Sequence, residues 1–471
     1  MIYKSLLVLL IPVFFGYVFL SLLWRARNVW QFVLKIFLGI GVGFGINSYL
    51  YFVWLLLFNR QDNFGLLQSA IIIPMVMFLL YRDRVNRFNE NMIGYPLIAG
   101  SFLLVLMVLA GTWLFADRFI NKALIFPHGG RDAQAIWNLR ARFIYRAGAD
   151  WKVAFSPDLD PRFHADYPLL IPLNVVWAWN FLGEESTRVP MIFSGLYTLG
   201  VVGVAFGLLS SLKSVGQAAL GSLTLMAMPL LFLTGIMQIG DVPMAYYMLA
   251  ATAFLILYLT EKKAGFIALA GLMAGLSAWT KNEGLLFALS ATAGCLLLSI
   301  LNKDNWNALK YFAIGIALPL AVVLYFKMTL APASDLFVNP GVGPLIGRIF
   351  ETSNYLIIFG SIGRTLMSFD FWNVGSPLIL LIYLIILGTR VTPSIKRGVY
   401  FGFLILFLQF VGYVLIYIFT PYDLQWHLNY SVERLMLHLM LSVVTLVFLI
   451  APTPEEIFQI LQASDKTNKV N

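Results

Sequence analysis

The chain has 471 residues, 60% of them hydrophobic and 12% charged, and a mean hydropathy of +0.82. A soluble domain carries about twice that charged share, so an ordinary water-soluble enzyme is excluded and lipid is the main solvent. The net charge of +9 does not indicate nucleic acid, because the lysines and arginines are spread through short loops instead of gathering on one face.

Segments of about the ~20 residues needed to cross hydrocarbon are expected near 2–24, 32–58, 64–81, 93–116, 189–210, 216–236, 243–260, 265–280, 285–301, 309–330, 376–389, 398–419 and 434–450. The first is too long for a signal-peptide core and has no small-residue cleavage site before Arg25 and Arg27, so it reads as a retained helix. The fold class is therefore all-α and polytopic, with about 13 transmembrane helices. The single Cys295 lies in an apolar run, which excludes an intramolecular disulfide and a thiolate-rich metal site.

Basic residues occupy alternate loops: Arg25 and Arg27; Arg82, Arg84 and Arg87; Lys213; Lys262 and Lys263; Lys303; Arg390, Lys396 and Arg397. The positive-inside rule puts these loops, and the polar tail 451–471, in the cytoplasm of a multi-pass protein of the cell (inner) membrane. The outer side then holds the loop 117–188, the turns around Asp241 and Lys281, the stretch 331–375 and the loop 421–433. The apolar stretch 353–360 is expected to be interfacial or re-entrant, because a crossing there would turn Arg390, Lys396 and Arg397 outward. Ala133 to Arg146 is expected to form an amphipathic surface helix, with Ile136, Leu139, Phe143 and Ile144 toward the apolar side and Arg140, Arg142 and Arg146 available to headgroups or phosphate.

Five outer-side clusters could carry chemistry. In the run 127–139, Gly129 and Gly130 permit a tight turn after which Asp132 can cap a helix or serve as a general base beside Arg131. His164, Asp166 and Tyr167 mark the return of the loop to the membrane and could contact a sugar hydroxyl or, weakly, a metal. Asp241, in a Gly-Asp-x-Pro turn, is either solvated at the interface or a second functional acid. Lys281 and Glu283 form either a structural ion pair or a phosphate contact. Trp426 and His427 precede Arg434 and His438, which share a helix face and could meet an anionic headgroup or simply snorkel.

In these residues the chain resembles the lipid-linked-sugar-dependent membrane glycosyltransferases of the C-type (GT-C) fold, the group holding protein O-mannosyltransferases and lipid A aminoarabinose transferases. The resemblance runs from about residue 93 to 450, and the run 129–142 looks like a bacterial branch of that group. It implies a glycosyltransferase module at 93–450 that includes the loop 117–188, preceded by extra transmembrane helices at 1–92. The first-loop acid, Asp132, would be catalytic, with Asp241 assisting substrate or holding a divalent cation. The donor would be a polyprenyl-phosphate sugar and the acceptor a hydroxyl on a glycan, lipid or protein. Lys281, Arg434 and Arg131 would face the departing phosphate. Two alternatives stay open: a polysaccharide polymerase or ligase using undecaprenyl-diphosphate glycans, and a membrane transporter or lipid flippase, which predicts ionisable groups at mid-membrane depth.

Overall fold

A computed structural model describes residues 2–85, 100–160, 163–301, 306–333 and 347–459. Arg87, Lys303, the first residues of the 93–116 segment, part of the stretch 331–375 and most of the tail lie outside these residues.

Among the described residues the chain is helical throughout: α1 (Ile2–Leu23), α2 (Val29–Phe58), α3 (Phe64–Val85), α4 (Gly100–Phe115), α5 (Lys122–Ile125), α6 (Asn138–Ala147), α7 (Leu170–Leu182), α8 (Arg188–Leu212), α9 (Val215–Ala227), α10 (Pro229–Ile236), α11 (Asp241–Glu261), α12 (Ala264–Thr280), α13 (Asn282–Leu301), α14 (Trp306–Thr329), α15 (Thr352–Met367), α16 (Phe369–Trp372), α17 (Pro377–Leu387), α18 (Pro393–Ile418) and α19 (Leu424–Ile450). Among the described residues eleven spans are long and apolar enough to cross a bilayer, which defines a multi-pass membrane protein.

Two expected crossings take other forms. The 216–236 segment is broken into α9 and α10, bent by 60°, because Pro229 has no amide hydrogen and pushes Met228 into an extended conformation (ψ 112°). The 265–280 segment, α12, has 17 residues and is almost wholly buried against α11, α13 and α14. The stretch 353–360 falls in α15, a 16-residue helix that packs on α19 and is not among the long spans.

The order of the interior comes from α11, whose membrane-length body is buried throughout. Its 21 residues measure about 30 Å along the axis, so Asp241 and Glu261 mark opposite ends of the bundle. At the Glu261 end the predicted cytoplasmic loops meet: Arg27 and Lys263 pair with Glu261 at 3.5 and 2.8 Å. Lys213 likewise donates to the carbonyls of Arg390 and Ala451 at 2.6 and 3.3 Å, joining two further basic loops. At the Asp241 end, segments from the predicted outer loops converge.

The outer loop is more built than its composition suggested. Within it lies α7, 13 residues long, too short to be noticed as a crossing, with residues 170–179 buried against α2 and α6. Polar side chains tie it to the N-terminal helices: Asn174 accepts from Asn47 at 3.0 Å, and Asn180 donates to Tyr51 and Gln61 at 3.0 and 2.9 Å.

Candidate functional site

The site begins with a turn seated on a turn. Gly129 adopts φ +72°, and a Cβ there would lie 2.7 Å from the Met237 carbonyl, so a side chain is excluded on both counts. Gly130 N–H donates to that same carbonyl at 2.9 Å. Gln238 then donates to the Pro127 carbonyl at 3.1 Å and accepts from Asn138 at 3.0 Å. These contacts lock the segment carrying Asp132 onto the residues just before Asp241. Gly240 completes the fit, since its missing side chain leaves room for the Trp137 ring, 2.8 Å from where a Cβ would stand.

Asp132 is not a helix cap. Its backbone is already helical (φ −65°, ψ −34°) and its side chain caps nothing; instead Oδ2 accepts from Arg434 Nη1 at 2.8 Å. The same guanidinium donates through Nε and Nη2 to Asp241 Oδ2 at 3.2 and 3.1 Å. Arg434 therefore joins the two acids, which lie 109 positions apart in sequence and 302 and 193 positions from the arginine.

Asp241 is fully buried and its other oxygen is equally committed, accepting from Lys281 Nζ at 2.8 Å and His438 Nε2 at 2.9 Å. With Nε2 donating, Nδ1 of His438 accepts from the Tyr413 hydroxyl at 2.9 Å. Lys281 also pairs with Glu283 at 2.7 Å. An unpaired carboxylate this fully buried would cost on the order of several kcal/mol, and four donors offset that cost.

A pocket of about 580 Å³ opens in front of this network, within the usual size of small-molecule sites. Its charged lining is Arg131, Asp132 and Arg434, and its aromatic wall is Trp137, Phe163, His164 and Tyr167. His164 stacks on Tyr167 with centroids 4.8 Å apart, and Tyr167 leans on Trp137 at 5.4 Å. His164 also holds a left-handed backbone (φ +44°), an uncommon conformation of the kind found at functional sites.

Burial sets most of the remaining candidate residues apart from the pocket. Asp241 does not line the pocket and instead holds Arg434 from behind. Nor do its surroundings suit a divalent cation, because Lys281 and Arg434 already present positive charge to its two oxygens; no group of three or more metal-ligating side chains occurs among the described residues. Lys281 and Glu283 form the internal ion pair, and the lysine side chain, 4% exposed, does not line the pocket. Asp166 is buried beneath the pocket wall, accepting from Asn282 at 2.7 Å and from Lys327, whose Nζ is 3.4 Å away. Trp426 and His427 lie on α19, which starts ten residues before the expected crossing because Asp423 caps it, accepting from Trp426 N at 2.7 Å. Trp426 is half exposed against Tyr422 and Tyr430, and His427 bonds Thr420 at 2.8 Å; neither lines the pocket. His438 is buried and does not meet a headgroup.

Arg140 was expected at the membrane surface and is instead buried, donating to the carbonyls of Ala165 and Phe163 at 3.0 and 2.9 Å. Burial pushes its guanidinium down to about 10, against the pull of Asp166. Its neighbours Arg142 and Arg146 turn to Glu185, at 3.7 and 2.6 Å, and the hydrogen bond from Arg146 holds that carboxyl below its ordinary range. Sequence reasoning missed Lys327, which donates to Asn282 at 2.6 Å and to the Asp166 carbonyl. Its one signal was a lysine in the last turn of an apolar helix, on the side predicted to face outward.

Comparison with protein-family models, curated proteins and solved structures finds no match.

Proposed function

We propose that the protein is an inverting membrane glycosyltransferase, GT-C-like in architecture, moving a sugar from a polyprenyl-phosphate donor to a hydroxyl acceptor on the extracytoplasmic face of the cell (inner) membrane, with its C-terminus cytoplasmic. The observation that carries this reading is the Arg434 bridge, which joins a pocket-lining carboxylate, Asp132, to a buried acid that fixes the guanidinium from behind.

The acceptor oxygen attacks the anomeric carbon while its proton passes to Asp132. The bond from that carbon to the phosphate oxygen breaks, and its electron pair leaves on the phosphate. Arg434 and Arg131 stabilise the departing anion. One carboxylate suffices, because a phosphate leaving group needs no protonation, unlike the alcohol leaving groups of glycosidases. The aromatic wall offers apolar ring faces beside these polar groups, as sugar-binding pockets require. The alternation of basic loops supports the outward orientation of the site.

The test is Asp132→Asn in purified protein supplied with a panel of polyprenyl-phosphate hexoses and pentoses and with cell-envelope acceptors. Transfer should fall by about 10²- to 10⁴-fold. Undiminished transfer rejects Asp132 as the base.

A further inference from the structure

Arg434 is anchored from behind along one edge. Asp241 Oδ2 takes both Nε and Nη2, and Asp241 is itself pinned by Lys281 and His438, so this edge of the guanidinium cannot rotate away. Nη1 remains, and the partner on it is Asp132, a pocket-lining side chain that is 35% exposed. Arg131 lines the same pocket. A guanidinium anchored from behind and presenting a free N–H edge is a ready receptor for a tetrahedral oxyanion. Here a carboxylate from the protein's own wall fills that edge.

We propose that the pocket is a phosphate-binding site gated by Asp132, in which an incoming phosphoryl group takes Nη1 of Arg434 and displaces the carboxylate. Two anions cannot share one N–H edge without strong like-charge repulsion. Displacement therefore couples the two halves of the reaction: only after the phosphate has arrived is Asp132 free to receive the acceptor's proton, and donor must bind before acceptor. The binding order rests on the transferase reading above; the gate does not. Either a lipid-borne phosphate or free phosphate has the required chemistry.

The experiment measures binding of inorganic phosphate and of a short-chain polyprenyl phosphate to the full-length protein in nanodiscs, for wild type, Asp132→Asn and Asp132→Ser. Removing the competing carboxylate should tighten binding of both probes by about tenfold or more, the factor matching one charge-assisted hydrogen bond. Adding Arg434→Gln to either variant should abolish the gain. If neither Asp132 variant binds inorganic phosphate more tightly than wild type, the gate is overturned, whatever the transfer assays show. If both tighten but the prenyl chain adds no affinity, the gate stands and the lipid-donor reading falls. Either variant alone suffices should the other fail to fold.

Discussion

Asp241 shows how far a residue's role depends on what surrounds it. In sequence it is an acid in a turn, equally suited to solvent, a metal or a substrate; in the fold it accepts from one lysine, one histidine and two nitrogens of one arginine. Its removal should therefore act first on stability. Asp241→Asn takes from the buried Lys281 one of its two carboxylates and from Arg434 the charge that anchors it from behind, and the loss should be about 3–5 kcal/mol. Thermal unfolding in detergent checks this. An unchanged unfolding midpoint for the single variant would mean the network contributes nothing.

Between elements, glycine sets the spacing. Gly315 of α14 sits so close to α12 that a Cβ would lie 1.8 Å from the Ala268 carbonyl, and Gly271 returns the contact, 2.2 Å from the Phe312 carbonyl. Such small-residue contacts let transmembrane backbones approach closely. α14 also delivers Lys327 to Asp166 and Asn282 beneath the pocket wall. Gly315→Leu should part the two helices, lower stability by at least the ~1–3 kcal/mol typical of overpacking, and reduce ligand affinity by shifting Lys327. Gly363→Leu on α15, where nothing lies within 4 Å, is the matched control and should be neutral in the same melting and binding assays.

For the whole molecule, the two ends of α11 define two faces, and the basic loops of Arg27 and Lys263 meet at the Glu261 end. Because the single cysteine, Cys295, is fully buried, a Cys295→Ala background permits clean labelling of introduced thiols. A cysteine replacing Glu184 should react with an impermeant maleimide applied to intact spheroplasts, whereas one replacing Lys262 or Lys396 should react only after permeabilisation. The reverse pattern would invert the topology and put the pocket in the cytoplasm.

Hydropathy and charge alternation were sufficient to read the all-helical membrane class and the positions of most spans, since both are local: twenty apolar residues need no distant partner to prefer lipid. The same local reasoning brought Asp132, Asp241, Lys281 and Arg434 to one face. It could not say which of them a ligand would reach. Arg140 and Arg131 look alike in sequence, yet one is buried on backbone carbonyls and the other lines the pocket. α7 was invisible because a 13-residue apolar run is too short to be told from loop by length alone. Only tertiary packing decided these matters, because the cost of burying a charge depends on opposite charges and hydrogen-bond partners that lie tens to hundreds of residues away along the chain.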